Sequence, residues 1–257
     1  MRQSLASVYT SAMQNQYGYP DDWSINWLIG APRQLGMIGQ FQLNEGYDSF
    51  NPHGLLSDYA PDLDLTTLDG PSSGERKVSV GESTVISFGA NAKTAGFEWL
   101  TGGRVGMSAS FGSEGGLQIW TDEAVVRTVR RLDEFKQALK SVDHRVVPVG
   151  TAAIVEVETA RRGVVFGSYG TQGSIALSVR ASAGSARLSM AHFVAGSSVE
   201  RQQGGATYQP FPNGLTTAFR CVHLQTKGWF WWKHLVVAGV RPLKPVIQPV
   251  PLVLFDA

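Results

Sequence analysis

Apolar and polar residues alternate with a period of two over several stretches of the chain, which predicts β-strands with one face turned to a core. The plainest run sets Val105, Met107, Ala109 and Phe111 against Gly106, Ser108, Ser110 and Gly112. A second sets Ile175, Leu177 and Val179 against Ser174, Ala176 and Ser178. Trp23, Ile25, Trp27 and Ile29 alternate in the same way, and a strand is predicted from Val149 to Thr159, with Ala153, Val155 and Val157 opposite Ile154, Glu156 and Glu158. Near the end of the chain, Leu215 to Gln225 and Trp229 to Val237 flank Thr226, Lys227 and Gly228. Glycine accepts positive φ, so this spacing predicts a β-hairpin. Trp229, Phe230, Trp231 and Trp232 make both faces of its second strand apolar, and each face needs cover.

A helical period replaces the alternation in two places. Leu132, Phe135, Leu139 and Val142 fall at 3-4 spacing, with Asp133 and Glu134 early and Lys136 and Lys140 late, so a helix is expected from about Leu132 to Val142. Leu117, Ile119 and the β-branched Val125, Val126 and Val129 predict a strand before it, ending near Val129. Leu5, Val8, Tyr9, Ala12 and Met13 predict a short helix over residues 4 to 16. Leu35 to Phe41 is an apolar run split by Gly36 and Gly39, which we read as a turn and a close backbone approach. It has neither the lysine nor the third glycine of a phosphate-binding loop. Asn51 to Gly74, with Asp58, Asp62, Asp64 and Asp69, is expected to be a solvated loop without the spacing of a calcium site. The last residues, GVRPLKPVIQPVPLVLFDA, hold four prolines, which exclude a regular helix, together with apolar positions that call for burial.

These elements predict an α+β fold: a single domain with a twisted, mainly antiparallel β-sheet and a few short helices over residues 1–240, followed by an apolar, proline-rich tail at 241–257. Composition agrees, since the chain has 29 glycines among 257 residues and recurrent valine, serine and threonine in short runs. Lys plus Arg number 22 against 21 for Asp plus Glu, which excludes binding to nucleic acid through a dominant positive charge. The single cysteine excludes an internal disulfide, and Cys221 reads as a buried small hydrophobe. Met1 to Gln16 has no continuous apolar core of a secretory signal, so cytoplasmic synthesis is expected. No run of 18 apolar residues exists, although barrel strands need only about 9–11 residues of alternation.

Charge distribution changes the picture more than net charge does. From Val164 to Val199 only Arg180 and Arg187 are charged. The opposite faces of the alternating runs are therefore small and barely polar. One reading makes them ordinary sheet strands of a large β-domain. A sharper one makes both regions two-state segments, folded in the free protein and able to extend as amphipathic hairpins in a bilayer, where one face meets lipid and strands satisfy each other's backbone.

Catalytic and metal chemistry has no counterpart in the pattern. His53, His144, His192, His223 and His234 are scattered without metal-ligand spacing. GSYG and GSEGG lack the nucleophile elbow. Glu156 and Glu158, two apart on a strand, are expected to be solvated charges on one face. An enzyme would need a cleft with convergent titratable groups, so neither catalytic residue, metal nor cofactor is assigned.

From about Arg76 to Val237 the order of features resembles the gasdermins, particularly the small bacterial ones. LQIWTDEAVVRTVRRLDEFKQAL looks like the strand-into-helix segment between that family's two membrane-inserting regions. VEVETARRGVVFGSYGTQGSIALSVRASAGSARLSMAHF looks like the second of those regions, and KVSVGESTVISFGANAKTAGFEWLTGGRVGMSASFGSEGG takes the place of the first. ATYQPFPNGLTTAFRCVHLQTKGWFWW looks like the stretch that closes the pore-forming domain.

The resemblance implies an autoinhibited cytoplasmic monomer with a gasdermin-like α+β fold, whose C-terminal segment a partner protease removes. The released domain would oligomerise with itself in the lipids of the cell inner membrane as a β-barrel pore, killing the cell as a defence against phage. On this view the membrane-inserting positions are Val85, Phe88, Val105, Met107, Phe111, Val164, Phe166, Ile175, Leu177, Val179, Leu188 and Met190. Val250, Leu252, Leu254 and Phe255 would carry the inhibitory contacts of the tail. The bacterial members carry a lipidated cysteine near the N-terminus, and Met1 to Gln16 contains none. The alternative is a β-rich binding or structural module without membrane activity.

Overall fold

The structure, a computed structural model, describes residues 10, 13, 23–26, 32–44, 47–80, 84–89, 104–112, 116–168, 170, 172–180, 197–211, 213–227 and 234–239. In chain order the strands are β1 (Trp23–Ile25), β2 (Met37–Asn44), β3 (Tyr47–Leu55), β4 (Thr67–Ser73), β5 (Arg76–Val80), β6 (Thr84–Gly89), β7 (Arg104–Phe111), β8 (Leu117–Thr121), β9 (Ala124–Val129), β10 (Ala152–Ala160), β11 (Gly163–Ser168), β12 (Ser174–Arg180), β13 (Ser198–Gln203), β14 (Ala206–Phe211), β15 (Leu215–Lys227) and β16 (His234–Gly239). Helix α1 (Leu132–Ser141) lies between β9 and β10. The α+β class and the mainly antiparallel pairing are as expected, with the strands shared among three sheets.

The chain divides into two compact units, one of residues Met1–Gly70, Val126–Glu158 and Thr216–Ala257, the other of Pro71–Val125 and Thr159–Leu215. In the first, the strand order β1-β15-β10-β2-β3 runs across an eight-stranded sheet, with β16 also on β15 and β9 also on β10. Along β15 the side chains alternate between two cores. Val222 and Leu224 pack with Phe135 and Leu139 of α1, while Phe219 and Cys221 pack with Phe50, Ile154 and Phe41 on the opposite face. The 3-4 spacing of α1 puts its two buried residues on this seam, and Asp133 and Glu134 in its first turn suit the helix dipole.

The predicted C-terminal hairpin is present, with its pairing displaced. β15 continues through Thr226 and Lys227, and Lys227 pairs with His234, so the connection is 228–233 and not Thr226 to Gly228. Trp229 to Trp232 lie outside the described residues. Both faces of β15 are buried from Leu215 to Phe219 and from Cys221 to Leu224.

Both glycines of the split apolar run act as read. Gly36 takes φ +78 in the turn before β2, and a Cβ on Gly39 would collide with the Asn51 carbonyl oxygen. Three expectations are corrected. Asn51 to Gly74 is not a loop throughout: Asn51–Leu55 completes β3, and β4 pairs with β9, because backbone pairing needs no apolar side chains when the strand is exposed. Of its carboxylates, Asp58 accepts from the Leu55 N–H at 3.0 Å and Asp64 from the Thr66 hydroxyl at 2.7 Å, while Asp69 of β4 accepts from Arg127 Nε of β9 at 3.1 Å. The strand expected from Leu117 to Val129 breaks into β8 and β9, which join different sheets. The break is fixed by Asp122, whose N–H donates to Arg162 O at 2.9 Å while Arg161 N–H donates to Glu123 O at 3.2 Å.

The third correction concerns the paired glutamates. Val155 and Val157 fall in different cores, so the alternation does not run unbroken through Glu156. Glu156 is paired with Arg220 at 2.6 Å with its side chain only 15% exposed, and Glu158 is buried. Of residues 4–16 only Thr10 and Met13 are described; both are helical and Met13 is buried.

Candidate functional site

Both alternating runs come together in the second unit. Its strands form two four-stranded sheets, β14-β11-β8-β5 and β13-β12-β7-β6. Met107, Ala109 and Phe111 from β7 and Ile175 and Leu177 from β12 share one core with Trp120, Val164, Phe166 and Ala206 of the other sheet. Trp120 meets Phe166 edge-on at 5.9 Å, and Phe166 meets Tyr208 at 5.5 Å. Cross-strand register sets Met107 opposite Leu177, Ala109 opposite Ile175 and Val105 opposite Val179, so the apolar rows match pair by pair.

Where their side chains are described, the residues expected to insert into membranes are core residues or pack against the core. Met107, Phe111, Val164, Phe166, Ile175 and Leu177 are buried, and Val105 and Val179 pack against them half-buried. Val85 and Phe88 lie on β6, whose backbone pairs with β7, though their side chains fall outside the described residues. Leu188 and Met190 also fall outside them, as do Val250, Leu252, Leu254 and Phe255.

The outer face of the β13-β12-β7-β6 sheet carries what the alternation did not reveal. Glu200 Oε1 accepts from Arg104 Nη1 at 2.7 Å, from the Ser198 hydroxyl at 3.0 Å, and from the Ser178 hydroxyl. Arg104 Nη1 also donates to Ser178 Oγ at 3.0 Å. Hydrogen bonds from the two serines, with Arg104 beside them, hold the Glu200 carboxyl below the usual glutamate range. The pair lies over Ser178, which is fully covered although it points away from the apolar core.

Gly89 pairs with Gly106, Arg180 with Arg104 and Ser198 with Ser178. The chain therefore leaves β6, enters β7, leaves β12 and enters β13 at one end of one sheet. The two connections, 90–103 and 181–197, both belong to that end.

The family models contain no match to this sequence, and no curated protein matches it. Among solved structures the chain is similar to one described as the cryo-EM structure of the gasdermin A3 membrane pore. The identity is 11%, the match covers 97% of this chain and 100% of that one, and the TM-score is 0.40.

Titratable groups in the first unit are arranged for packing. Burial pushes the Cys221 thiol well up, as fits an inert small hydrophobe. Arg33 donates to Phe50 O at 3.0 Å with its guanidinium 5.4 Å from the Phe50 ring centre, and burial lowers its pKa. His223 is buried against Phe41, 5.5 Å between ring centres, and burial lowers its pKa. Among the described residues no three His, Cys, Asp or Glu side chains converge on a point where a metal ion would sit. No described helix is long and apolar enough to cross a membrane, which has no bearing on strands.

Proposed function

We propose that this chain is an autoinhibited pore-forming protein of the gasdermin kind, in which the sheet β13-β12-β7-β6 supplies the membrane-active strands. The observation that carries the reading is the gathering of both weakly charged, alternating runs into one antiparallel sheet whose two connections share an end. Each hairpin would lengthen through its connection, 90–103 or 181–197, and the apolar rows now packed in the core would turn to lipid. Lipid tails are as apolar as the core, so this exchange avoids the roughly 1.5–3 kcal/mol that water would charge for each large side chain. The core they leave holds two buried polar atoms without a partner, Gln118 Oε1 and Trp120 Nε1. Such atoms cost about 1–3 kcal/mol each and make the packed state easier to leave.

In this reading the proline-rich tail at 241–257 holds the soluble state. A partner protease removes it, the remainder oligomerises in the inner membrane as a β-barrel, and the cell dies, a response suited to phage infection. Removing the residues after Arg241 should make the protein toxic when expressed and able to release dye from liposomes of anionic lipid. Liposomes that stay tight with the folded, truncated protein would sink the proposal. They would favour the alternative, a β-rich binding or structural module, for which loss of the tail only destabilises or aggregates the chain.

A further inference from the structure

We propose that Arg104, Ser178, Ser198 and Glu200 form a register pin that ties hairpin β6–β7 to hairpin β12–β13 and sets the alignment from which the strands lengthen. The lengthening itself rests on the pore-forming reading above; the pin does not.

A strand pair keeps its register only where something distinguishes one alignment from the next. A slip of one residue turns every side chain to the wrong face, and flat, glycine-rich strands are the ones most prone to slip. The outer face of β7 and β12 is of that kind, with Gly106, Ser108, Ser110 and Ala176. On the inner face the shaped core fixes the alignment, through Met107 against Leu177 and Ala109 against Ile175. In lipid that discrimination is lost, because a hydrocarbon solvent does not tell a valine from a leucine.

The pin supplies a directional contact at that point. A single carboxylate oxygen receives groups from three strands, Arg104 of β7, Ser178 of β12 and Ser198 of its own β13. It sits beside the place where the β12–β13 register shifts, between Ala176 and Leu177, and where the ladder alone is irregular. Arg104 is also the register partner of Arg180, the last residue of β12. The pin lies at the end from which both connections leave, so new strand pairs would form next to the fixed alignment.

The full-length protein tests the pin without any membrane. Glu200→Gln and Arg104→Met should each speed amide hydrogen exchange in β13 and the end of β12 by about tenfold or more, the equivalent of one charged hydrogen bond. Exchange unchanged in both variants overturns the proposal. In protein truncated after Arg241, each single variant should leak dye more slowly than its parent, and the reversed pair Arg104→Glu with Glu200→Arg should recover part of the rate. Faster leakage in the single variants would make the contact a lock that must open, and would overturn the pin. A disulfide between Ser108→Cys and Ala176→Cys, which are register partners, should leave leakage intact; leakage that returns only on reduction also overturns it. If the truncated parent does not leak at all, the pore-forming reading fails, while the exchange measurement still decides the pin.

Discussion

β15 and β12 each lie inside a sheet with a paired strand on either side, and they differ in what covers their second face. β15 is sealed twice: Val222 and Leu224 sit under α1, and Phe219 and Cys221 sit among Phe41, Phe50 and Ile154. β12 is sealed once by an apolar core, through Ile175 and Leu177, and its other face is closed by serines and one ion pair. Among the described residues, β15 and β12 are each crossed by a carboxylate that meets a guanidinium on another strand. Glu156 and Arg220 are 15% and 31% exposed, whereas Glu200 and Arg104 are 31% and 33%. A strand with two dry faces can move only by losing both cores. A strand with one dry face and one polar face could exchange the first for lipid while water still serves the second, so on the pore-forming proposal β12 and its sheet rearrange and β15 stays as the frame.

The largest effect that tests this contrast is truncation on both faces of the two strands. Phe219→Ala, on one face of β15, should cost about 3–5 kcal/mol in urea unfolding, and Leu224→Ala on the other about 2–5. On β12 only the core face should respond on that scale, with Leu177→Ala in the same range. Ser178→Ala should cost about 1.5 kcal/mol, the lower end for a hydrogen bond to a charged group. A cost at Ser178 equal to that at Leu177 would erase the distinction. For the same reason Leu177→Asp is a poor probe of membrane insertion, since a fully buried position fails in folding first.

A smaller effect separates the two ion pairs. Glu156→Gln removes a charge from a contact of 2.6 Å that little water reaches, and should cost about 2 kcal/mol. A double-mutant cycle with Arg220→Met should show most of that cost as coupling between the two residues. The same cycle on Glu200 and Arg104 should give a smaller global coupling, about 1 kcal/mol, because water partly screens the half-exposed pair. Equal couplings would place the Arg104–Glu200 contact among the structural ion pairs and remove the reason to treat that sheet as separable.

Much of this contrast was legible in the chain and part of it was not, for physical reasons. Val105 to Phe111 announces a strand because large side chains alternate with glycine and serine, and Leu132 to Val142 announces a helix because its apolar residues hold one stripe. β13, SVERQQ, announces nothing: all six side chains are exposed, and it is a strand only because β12 offers it a ladder. Asn51–Leu55 and Thr67–Ser73 escape notice for the same reason. Arg104 and Glu200 stand 96 residues apart, so no local pattern could join them. A count of two sets Glu156 on one face with Glu158 only if the alternation is unbroken, and Val155 and Val157 in separate cores show that it breaks there. Val105 to Phe111 and Ile175 to Val179 alternate as both a core strand and a bilayer strand do, so the pattern does not tell the two apart.

The finest test of the sealed frame is acid. His223 is buried on the same face of β15 as Phe219 and Cys221, with Phe41 across its ring, and neither ring nitrogen has a partner. Among the described residues, the other ionisable groups packed on that face are Arg33 and Cys221, a cation and a thiol kept neutral by burial, so neither helps a second positive charge. Burial lowers the folded-state pKa of His223 below the ordinary value of 6.5. Above 6.5 the unfolded chain is neutral there too, and the full stability is present. As pH falls through 6.5 the unfolded chain takes up a proton that the folded chain refuses, so stability drops by up to about 1.4 kcal/mol per pH unit until the folded-state value is passed. Urea midpoints measured from neutral pH downward should show this slope in the parent and lose it in His223→Phe, which keeps the ring against Phe41. Parallel slopes in the two proteins would mean that the imidazole finds water or a partner, and that the second face of β15 is less sealed than its packing shows.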